Sequence, residues 1–197
     1  EWDKFVMGYY KHPEPQRISE TIAAMAGAGQ PVPETAIIPT VMFYSYVFAA
    51  NPSRKAGWEK QIATLNGQTR ALMLKSIGSS PESLLATIPP STGRNDALWA
   101  CFFATGRPRC LDELIQNLSY MGDRSSERTF YIGFTAKWSL ASNMQSHPLV
   151  REAIMSAAKT ASPAVRTQAA SILKMSVHAI LEEGSDIIKA QKAAGLW

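Results

Sequence analysis

Cysteine and charge are both scarce in this chain, and their scarcity narrows what the protein can be. Two of the 197 residues are cysteines, which is too few for a fold held by several disulfides. Charged residues make up 18% of the sequence and form no run of five like charges, so the dense Lys/Arg stripe of a nucleic-acid-binding domain is absent. The net charge of +4 is mildly basic. We therefore expect no nucleic-acid partner.

Long apolar runs are also missing. The longest apolar-rich stretch, residues 36–50, is interrupted by Pro39, Thr40 and Ser45 and is shorter than the roughly 20 residues that span a membrane. The sequence therefore predicts no transmembrane segment and one soluble domain over residues 1–197. The chain opens with Glu1 rather than Met. We expect that a segment before it has been removed, by a signal peptidase or by design.

Catalytic signatures are sparse as well. The sequence has no Gly-rich phosphate loop and no Gly-x-Ser-x-Gly elbow. Ser171 and Lys174 have the Ser-x-x-Lys spacing of penicillin-recognising serine enzymes, but the companion Ser-Asp-Asn and Lys-Thr-Gly elements are absent. The adjacent carboxylates of Asp112 and Glu113 point about 100° apart on a helix, so they do not converge. The sequence thus predicts no catalytic residue.

Metal-binding spacing is absent too. The three histidines are His12, His147 and His178, and no His-Glu-x-x-His motif occurs. His178 and Glu182 can face one another on a helix, but two ligands do not make a metal site. His12 and His147 precede prolines, which is typical of solvated turns. The sequence predicts neither a metal site nor a cofactor.

Signals for helix starts, by contrast, recur along the whole chain. Six prolines each follow a turn residue and precede an apolar residue, as prolines in the first turn of a helix do: Pro15, Pro52, Pro81, Pro108, Pro148 and Pro163. Three of them are preceded by residues of good N-cap type, Asn51, Ser80 and Ser162. Six such starts predict many helices joined by short turns.

Apolar residues between these starts have helical spacing. The clearest stripes are Leu111-Leu114-Ile115-Leu118, Phe130-Phe134-Trp138 and Val165-Ala169-Ile172. Six glycines are placed where helices should stop: Gly27, Gly67, Gly78, Gly106, Gly122 and Gly184. Residues 129–134 are the best strand candidate, but the stripe through them favours a helix. The sequence therefore predicts an all-α fold of packed αα-hairpins, with a loop near residues 88–93 dividing the domain into two halves.

A faint repeat runs through the predicted hairpins. Tyr9-Tyr10 and Phe102-Phe103 are each followed, at matching offsets, by a proline, an apolar residue, a glutamate and an isoleucine. Hairpins of this kind bury their apolar faces by stacking on their neighbours. The prolines themselves are unevenly spaced. The array is therefore either an irregular, solenoid-like stack or the pattern that any helical hairpins produce.

Three segments combine aromatic and turn residues in a distinctive order. They read GYYKHPEPQRISETI, VFAANPSRKAGWEKQI and LWACFFATGRPRCLDELI. An aromatic pair precedes Pro-x-Pro, an Asn-Pro start precedes a Trp, and Leu-Trp precedes Phe-Phe-Ala-Thr-Gly. Together they resemble parts of an uncharacterised bacterial family of all-helical proteins. The resemblance is scattered between the aromatic pair at residue 9 and Ile115. It implies a helical fold and carries no activity.

Arginines gather near one predicted helix start. Arg107 and Arg109 flank Pro108, and Arg94 precedes them along the chain. Backbone N–H groups at a helix start point outward and favour anions. A phosphate, a carboxylate or an acidic partner could therefore bind at these three arginines. The alternative is an ordinary solvated turn.

The two cysteines are predicted to lie at the end of one helix and the start of the next. A disulfide between Cys101 and Cys110 could staple this hairpin if their Cα atoms lie within about 7 Å. Such a bond would favour an exported protein, periplasmic or secreted, over a cytoplasmic one. The alternative is a pair of small buried thiols.

Aromatic residues are concentrated at Phe43, Tyr44, Tyr46 and Phe48. A helix that is apolar most of the way round is usually central, although it can also line a pocket for an apolar ligand. The missing catalytic set and the hairpin architecture favour a non-catalytic protein that binds a protein partner through a grooved face. The alternatives are a binder of a small apolar or anionic ligand and an enzyme of unrecognised type.

Overall fold

The backbone is helical from one end of the described chain to the other. A computed structural model describes residues 2–197, in which twelve α-helices and three short 3-10 segments form and no strand occurs. The all-α fold predicted from the sequence is confirmed. Within the same residues, no helix is both long and apolar enough to cross a bilayer. The expectation about a segment before Glu1 lies outside the described residues.

Two compact units share the chain. Unit 1 comprises Glu1–Pro89 and Asp96–Arg107, and unit 2 comprises Pro90–Asn95 and Pro108–Trp197. The chain first passes from one unit to the other between Pro89 and Pro90, within the loop predicted near residues 88–93. That loop is shorter than predicted, because a helix already begins at Thr92. The hydroxyl of Ser91 accepts a hydrogen bond from the N–H of Arg94, which caps this start.

Unit 1 is built around one buried helix. Its helices are α1 (Trp2–Gly8), α2 (Ile18–Gly27), α3 (Glu34–Ala50), α4 (Lys55–Thr64), α5 (Gly67–Gly78), α6 (Pro81–Ala86) and most of α7 (Thr92–Thr105), with 3-10 segments at Pro15–Arg17 and Pro52–Arg54. α3 is buried on all sides from Thr40 to Phe48 and packs against α5 and α6. The central position predicted for the aromatic helix is therefore confirmed.

Unit 2 is built around α9. Its elements are the first turn of α7, α8 (Pro108–Gln116), a 3-10 segment (Asn117–Gly122), α9 (Glu127–Asn143), α10 (Pro148–Thr160), α11 (Pro163–Ile172) and α12 (Val177–Ala193). α9 contacts the 3-10 segment and each of α8, α10, α11 and α12. The segment 129–134 lies within α9, as its four-residue spacing predicted.

Proline marks the helix starts reliably, whereas the predicted caps are only partly made. Four of the six prolines begin α-helices, and the other two begin the 3-10 segments that lead directly into α2 and α4. The Ser80 hydroxyl accepts from the N–H of Ser83 and caps α6. The caps predicted at Asn51 and Ser162 are wrong, since neither side chain accepts such a bond. The Asn51 amide instead donates to the carbonyl of Val47, near the end of α3.

Glycine has two roles in this fold, of which the sequence predicted one. Gly106 follows α7 with a φ of 66°, a left-handed conformation that favours glycine. Gly184 was predicted to end a helix and instead lies inside α12, because the ring of Phe134 occupies the space of its missing side chain. Gly133, inside α9, lies equally close to the backbone of Met121. Gly133 therefore allows the close approach of α9 to the 3-10 segment, and Gly184 allows the close approach of α12 to α9.

We expect Gly133→Ala to lower the free energy of unfolding by about 1–3 kcal/mol, since the new methyl group would collide with the backbone of Met121, which cannot rotate away. The matched control is Gly57→Ala in α4, where nothing lies near the added methyl group. We expect this change to raise stability by about 0.5–1 kcal/mol, through the higher helix propensity of alanine. Urea unfolding followed by circular dichroism measures both. Equal effects of the two substitutions would contradict the close approach at Gly133.

Candidate functional site

Unit 1 contains a pocket whose walls are mostly apolar. It has a volume of about 270 Å³, and three helices contribute its walls. Each helix supplies a stripe of residues one turn apart. They are Asp3, Val6 and Met7 from α1, Ala36, Pro39, Thr40 and Phe43 from α3, and Asp96, Trp99, Ala100 and Phe103 from α7. Phe43 belongs to the aromatic segment that the sequence predicted to be central, with a pocket for an apolar ligand as the alternative. The contributions of α1 and α7 were not predicted.

The charged groups in this pocket are both carboxylates. They belong to Asp3 and Asp96, which lie on different helices, and the described lining contains no basic side chain. Asp96 is exposed to solvent, yet partial desolvation of its carboxyl by the surrounding protein raises the pKa of that group to about 6. No basic group offsets this shift. The pocket therefore combines aromatic walls with negative charge that the protein itself leaves unneutralised.

A groove in unit 2 runs between α8 and α10. It has a volume of about 510 Å³. α8 contributes Pro108, Leu111, Asp112, Ile115 and Gln116, and α10 with the residue after it contributes Leu149, Glu152, Ala153, Ser156, Ala157, Thr160 and Ala161. The side chains from α10 are mostly small, so its backbone comes close to the groove surface. Leu149 remains 37% exposed at one end.

The adjacent carboxylates of Asp112 and Glu113 on α8 do not converge, as their 100° separation predicted. Asp112 is exposed and lines the groove. Glu113 forms a salt bridge with Arg94, in which Nη2 of Arg94 lies 3.0 Å from Oε2 of Glu113 and Nε contacts the other oxygen. This two-point contact holds the segment that starts α7 against α8. One carboxylate is therefore structural and the other is accessible to a partner.

A buried amide network lies beside this salt bridge. Asn95 is 2% exposed, and its Nδ2 donates to the carbonyl oxygen of Ile132 and to Oγ1 of Thr135, both at 2.9 Å. Nδ2 of Asn117 donates to Oδ1 of Asn95 at 2.8 Å. The network joins the first turn of α7, the 3-10 segment and α9. Because the amide of Asn95 has partners for both of its polar atoms, it stabilises this junction rather than offering a site to a ligand.

Unit 2 also buries a lysine. The Lys137 side chain on α9 is fully buried, and its Nζ lies 2.5 Å from Oε2 of Glu183 on α12. A buried ammonium group requires such a partner, because removal of the carboxylate would leave an uncompensated charge in the core. The pair therefore ties α12 to α9 and belongs to the core.

The three arginines predicted to bind an anion do not present three available charges. Arg94 is paired with Glu113, and Arg107 Nη1 lies 3.3 Å from Oε1 of Glu82. Arg109 is exposed on the first turn of α8. Arg94 and Arg109 belong to unit 2, whereas Arg107 belongs to unit 1. Anion binding at these residues stays a prediction, and the ion pairs of two members give it no support.

Neither cysteine is a free thiol. Cys101, near the end of α7, and Cys110, in the first turn of α8, are both disulfide-bonded. Both side chains are almost completely buried, at 1% and 2% exposure. Buried sulfur atoms of this kind are protected from reagents in solution, so they have a structural role.

Other residues with possible chemistry have ordinary surroundings. The Ser171 hydroxyl lies 2.9 Å from the sulfur of Met175, and Lys174 lies beyond the end of α11, so the Ser-x-x-Lys spacing does not place the two on one helix. His178 pairs with Glu182 at 3.3 Å on an exposed face of α12, as predicted. The prediction of a solvated His147 is wrong, because this residue is 2% exposed. Among residues 2–197, no group of three potential metal ligands gathers.

No protein-family model, no curated protein and no solved structure shows significant similarity to this chain. The unit 1 pocket and the unit 2 groove are therefore the features of the molecule that bear on its function.

The pocket carried a sequence signal that composition alone does not reveal. Asp96, Trp99, Ala100 and Phe103 recur at helical spacing, and so do Ala36, Pro39, Thr40 and Phe43. Each stripe mixes small residues with an aromatic residue, which leaves space beside a rigid wall. Such a stripe indicates a cavity only once another helix is known to face it.

We expect the denatured protein to contain no titratable thiol when no reductant is present, and two after reduction, because Cys101 and Cys110 are both disulfide-bonded. Thiol titration of the denatured protein, purified from an oxidising compartment without reductant and without alkylation, measures this. Two reactive thiols in the unreduced sample would contradict the bond.

We expect the Asp96 carboxyl to make the folded state less stable as pH rises from about 4 to about 6. Its pKa is about 6 in the folded protein, above the ordinary value of an aspartate, so the folded state binds more protons than the unfolded state across this interval. Asp96→Asn should therefore gain stability relative to the wild type between these pH values. Melting temperatures over this range test it, with exposed Asp186→Asn as the reference. A parallel pH dependence in Asp96→Asn and the wild type would contradict the raised pKa.

Proposed function

We propose that this protein is a non-catalytic helical interaction protein, and that its unit 2 groove holds an amphipathic helical segment of a protein partner. The observation that carries the proposal is the groove between α8 and α10, with its apolar floor and its acidic edges. Helix-in-groove recognition uses such a surface, on which apolar residues of the partner helix insert at intervals of one turn.

The shape of the groove supports a helical occupant. Leu111 and Ile115 on α8 and Ala153 and Ala157 on α10 recur at spacings of four residues, so apolar positions on both walls repeat with each helical turn. Small residues on α10 let a third helix approach closely. Leu149, which is 37% exposed, supplies an apolar contact at the end of the groove. A partner that covered Leu149 and the half-buried Ala153 would remove the apolar surface that these two residues still expose to water.

The charge of the groove supports a basic partner. Asp112 and Glu152 are its charged lining residues in the described structure, and both are exposed carboxylates. A helix with Lys or Arg beside its apolar stripe would place opposite charges at these two positions. Electrostatic complementarity of this kind gives specificity and fast association more than raw affinity.

The compartment is part of the same proposal. Disulfides persist in oxidising environments and are rare in the cytosol of most organisms. The bonded state of Cys101 and Cys110 therefore supports an exported protein, periplasmic or secreted, and a partner in the same compartment.

We expect Ser156→Trp to weaken binding of a basic amphipathic peptide by roughly tenfold or more, because the indole would fill the groove. The probe is a fluorescein-labelled helix of about five turns, with a Leu/Ala stripe flanked by Lys, and fluorescence anisotropy measures its affinity. The matched control is Met155→Trp, which adds the same side chain to the same helix at an exposed position outside the groove. This control should bind as the wild type does.

The charge and the location are tested separately. A peptide with Glu in place of every Lys should bind more weakly to the wild type, and Asp112→Lys/Glu152→Lys should reverse that preference. Binding of the acidic peptide that is lost in Arg107→Glu/Arg109→Glu and kept in Ser156→Trp would contradict the groove and favour anion binding at these arginines instead. Equal binding of basic, acidic and scrambled peptides would show that the groove has no selectivity, which would also contradict the proposal.

A further inference from the structure

The unit 1 pocket is separate from the proposed partner groove, and its size fits a small ligand. Its volume of about 270 Å³ is nearly twice that of an engineered cavity of about 150 Å³ that holds one benzene molecule. By this comparison it has room for about ten non-hydrogen atoms. The pocket is open on one side, so a ligand of this size can enter without unfolding the unit.

The walls of the pocket are rigid and aromatic. Trp99 and Phe103 stack with ring centroids 5.3 Å apart, and Phe43 is held at its back by an edge-to-face contact with Tyr9 at 5.4 Å. The three wall rings are nearly buried, at 6%, 8% and 1% exposure. Aromatic faces attract cations through their quadrupole, and tryptophan does so best. The walls therefore favour an apolar body and tolerate a positive charge.

The electrostatics of the pocket exclude an anion. Among the residues that the structure describes, Asp3 on α1 and Asp96 on α7 are the titratable groups that line it, since the lining residues of α3 are Ala36, Pro39, Thr40 and Phe43, none of which titrates near neutral pH. An anion would be repelled by both carboxylates. A neutral apolar ligand would leave the charge of Asp96 partly desolvated and unpaired. A cation is the one class of ligand that both neutralises the carboxylates and contacts the rings.

We propose that the unit 1 pocket binds a small organic cation, namely an amine or a quaternary ammonium group on an aromatic or compact alkyl body of about ten non-hydrogen atoms. The ammonium group lies at the open side with Asp96 and Asp3, and the apolar body lies between Trp99, Phe103 and Phe43. Asp96 provides the charge that distinguishes a cation from a neutral compound of the same shape.

Proton release is the signature of such binding. The pKa of Asp96 is raised to about 6 by desolvation, and a bound cation would stabilise the ionised carboxylate and lower that pKa. Near pH 6, ligand binding would therefore release a proton. Affinity would rise with pH through this value and level off above it.

Isothermal titration calorimetry with phenethylamine as the probe tests the proposal on the full chain. 2-Phenylethanol and phenylacetate are its neutral and anionic counterparts of nearly equal size. We expect phenethylamine to bind at least about tenfold more tightly than either, as the contact between an ammonium group and a carboxylate contributes on that scale. Titrations near pH 6, in buffers with different ionisation enthalpies, measure the released proton.

Two variants locate the effect. Asp96→Asn keeps the shape of the side chain and should weaken phenethylamine binding about tenfold, remove the proton release and leave 2-phenylethanol unaffected. Ala36→Leu fills the pocket without changing its charge and should weaken both ligands alike. Asp186→Asn, an exposed aspartate of unit 2, is the matched control and should bind as the wild type does.

Three results would overturn the proposal. The first is equal affinity for phenethylamine and 2-phenylethanol, which would mark a pocket without charge selectivity. The second is unchanged phenethylamine binding in Asp96→Asn with a retained melting temperature, which would place the ligand elsewhere. The third is the absence of binding heat for phenethylamine and for tetramethylammonium at millimolar concentrations.

Discussion

The buried amide of Asn95 ties the segment Pro90–Asn95 to the rest of unit 2. Asn95 belongs to a segment of six residues that is separated in sequence from the rest of the unit, and a fully paired side chain ties it to α9 and to the 3-10 segment. A buried amide that loses its partners costs about 1–3 kcal/mol, so this arrangement is favoured over others in which the same polar atoms find no bond. The salt bridge of Arg94 with Glu113 acts at the neighbouring position. Unit 2 is therefore completed by two polar residues in the first turn of α7.

The unit 1 pocket and the unit 2 groove are both lined by negative charge, whereas the chain as a whole is positively charged. The protein has a net charge of +4, yet the charged residues that line the pocket and the groove are aspartates and one glutamate. Some basic residues form salt bridges within the protein. Lys137 pairs with Glu183, and Arg94 pairs with Glu113. The local charge of the pocket and of the groove therefore differs in sign from the overall charge of the chain. The arginines Arg94, Arg107 and Arg109 had instead indicated an anion or an acidic partner, which is the opposite preference.

The fold could be predicted from the sequence wherever the deciding interactions are local. Proline sets the backbone angle of a first turn, so Pro108 marks the start of α8 without any tertiary information. Interior glycines depend on distant neighbours, and Gly184 lies within α12 because Phe134 needs its space. The same difference applies to the pocket. Phe43 could be singled out because aromatic residues cluster around it in the sequence, whereas Asp96 acquires its raised pKa only where three helices meet.

The unit 1 pocket is negatively charged in a protein that is positively charged overall. This difference affects the association rate of a cation and its residence time in different ways. At physiological ionic strength the Debye length is about 8 Å, so an approaching cation is screened from the distant lysines and arginines until it reaches the carboxylates. In dilute buffer the repulsion extends further and slows encounter, while dissociation is still governed by contacts within the site. Discrimination between cationic and neutral molecules therefore arises after contact, from residence time. At the proposed cation pocket of unit 1, selection between small cationic and neutral compounds rests on retention and not on long-range attraction.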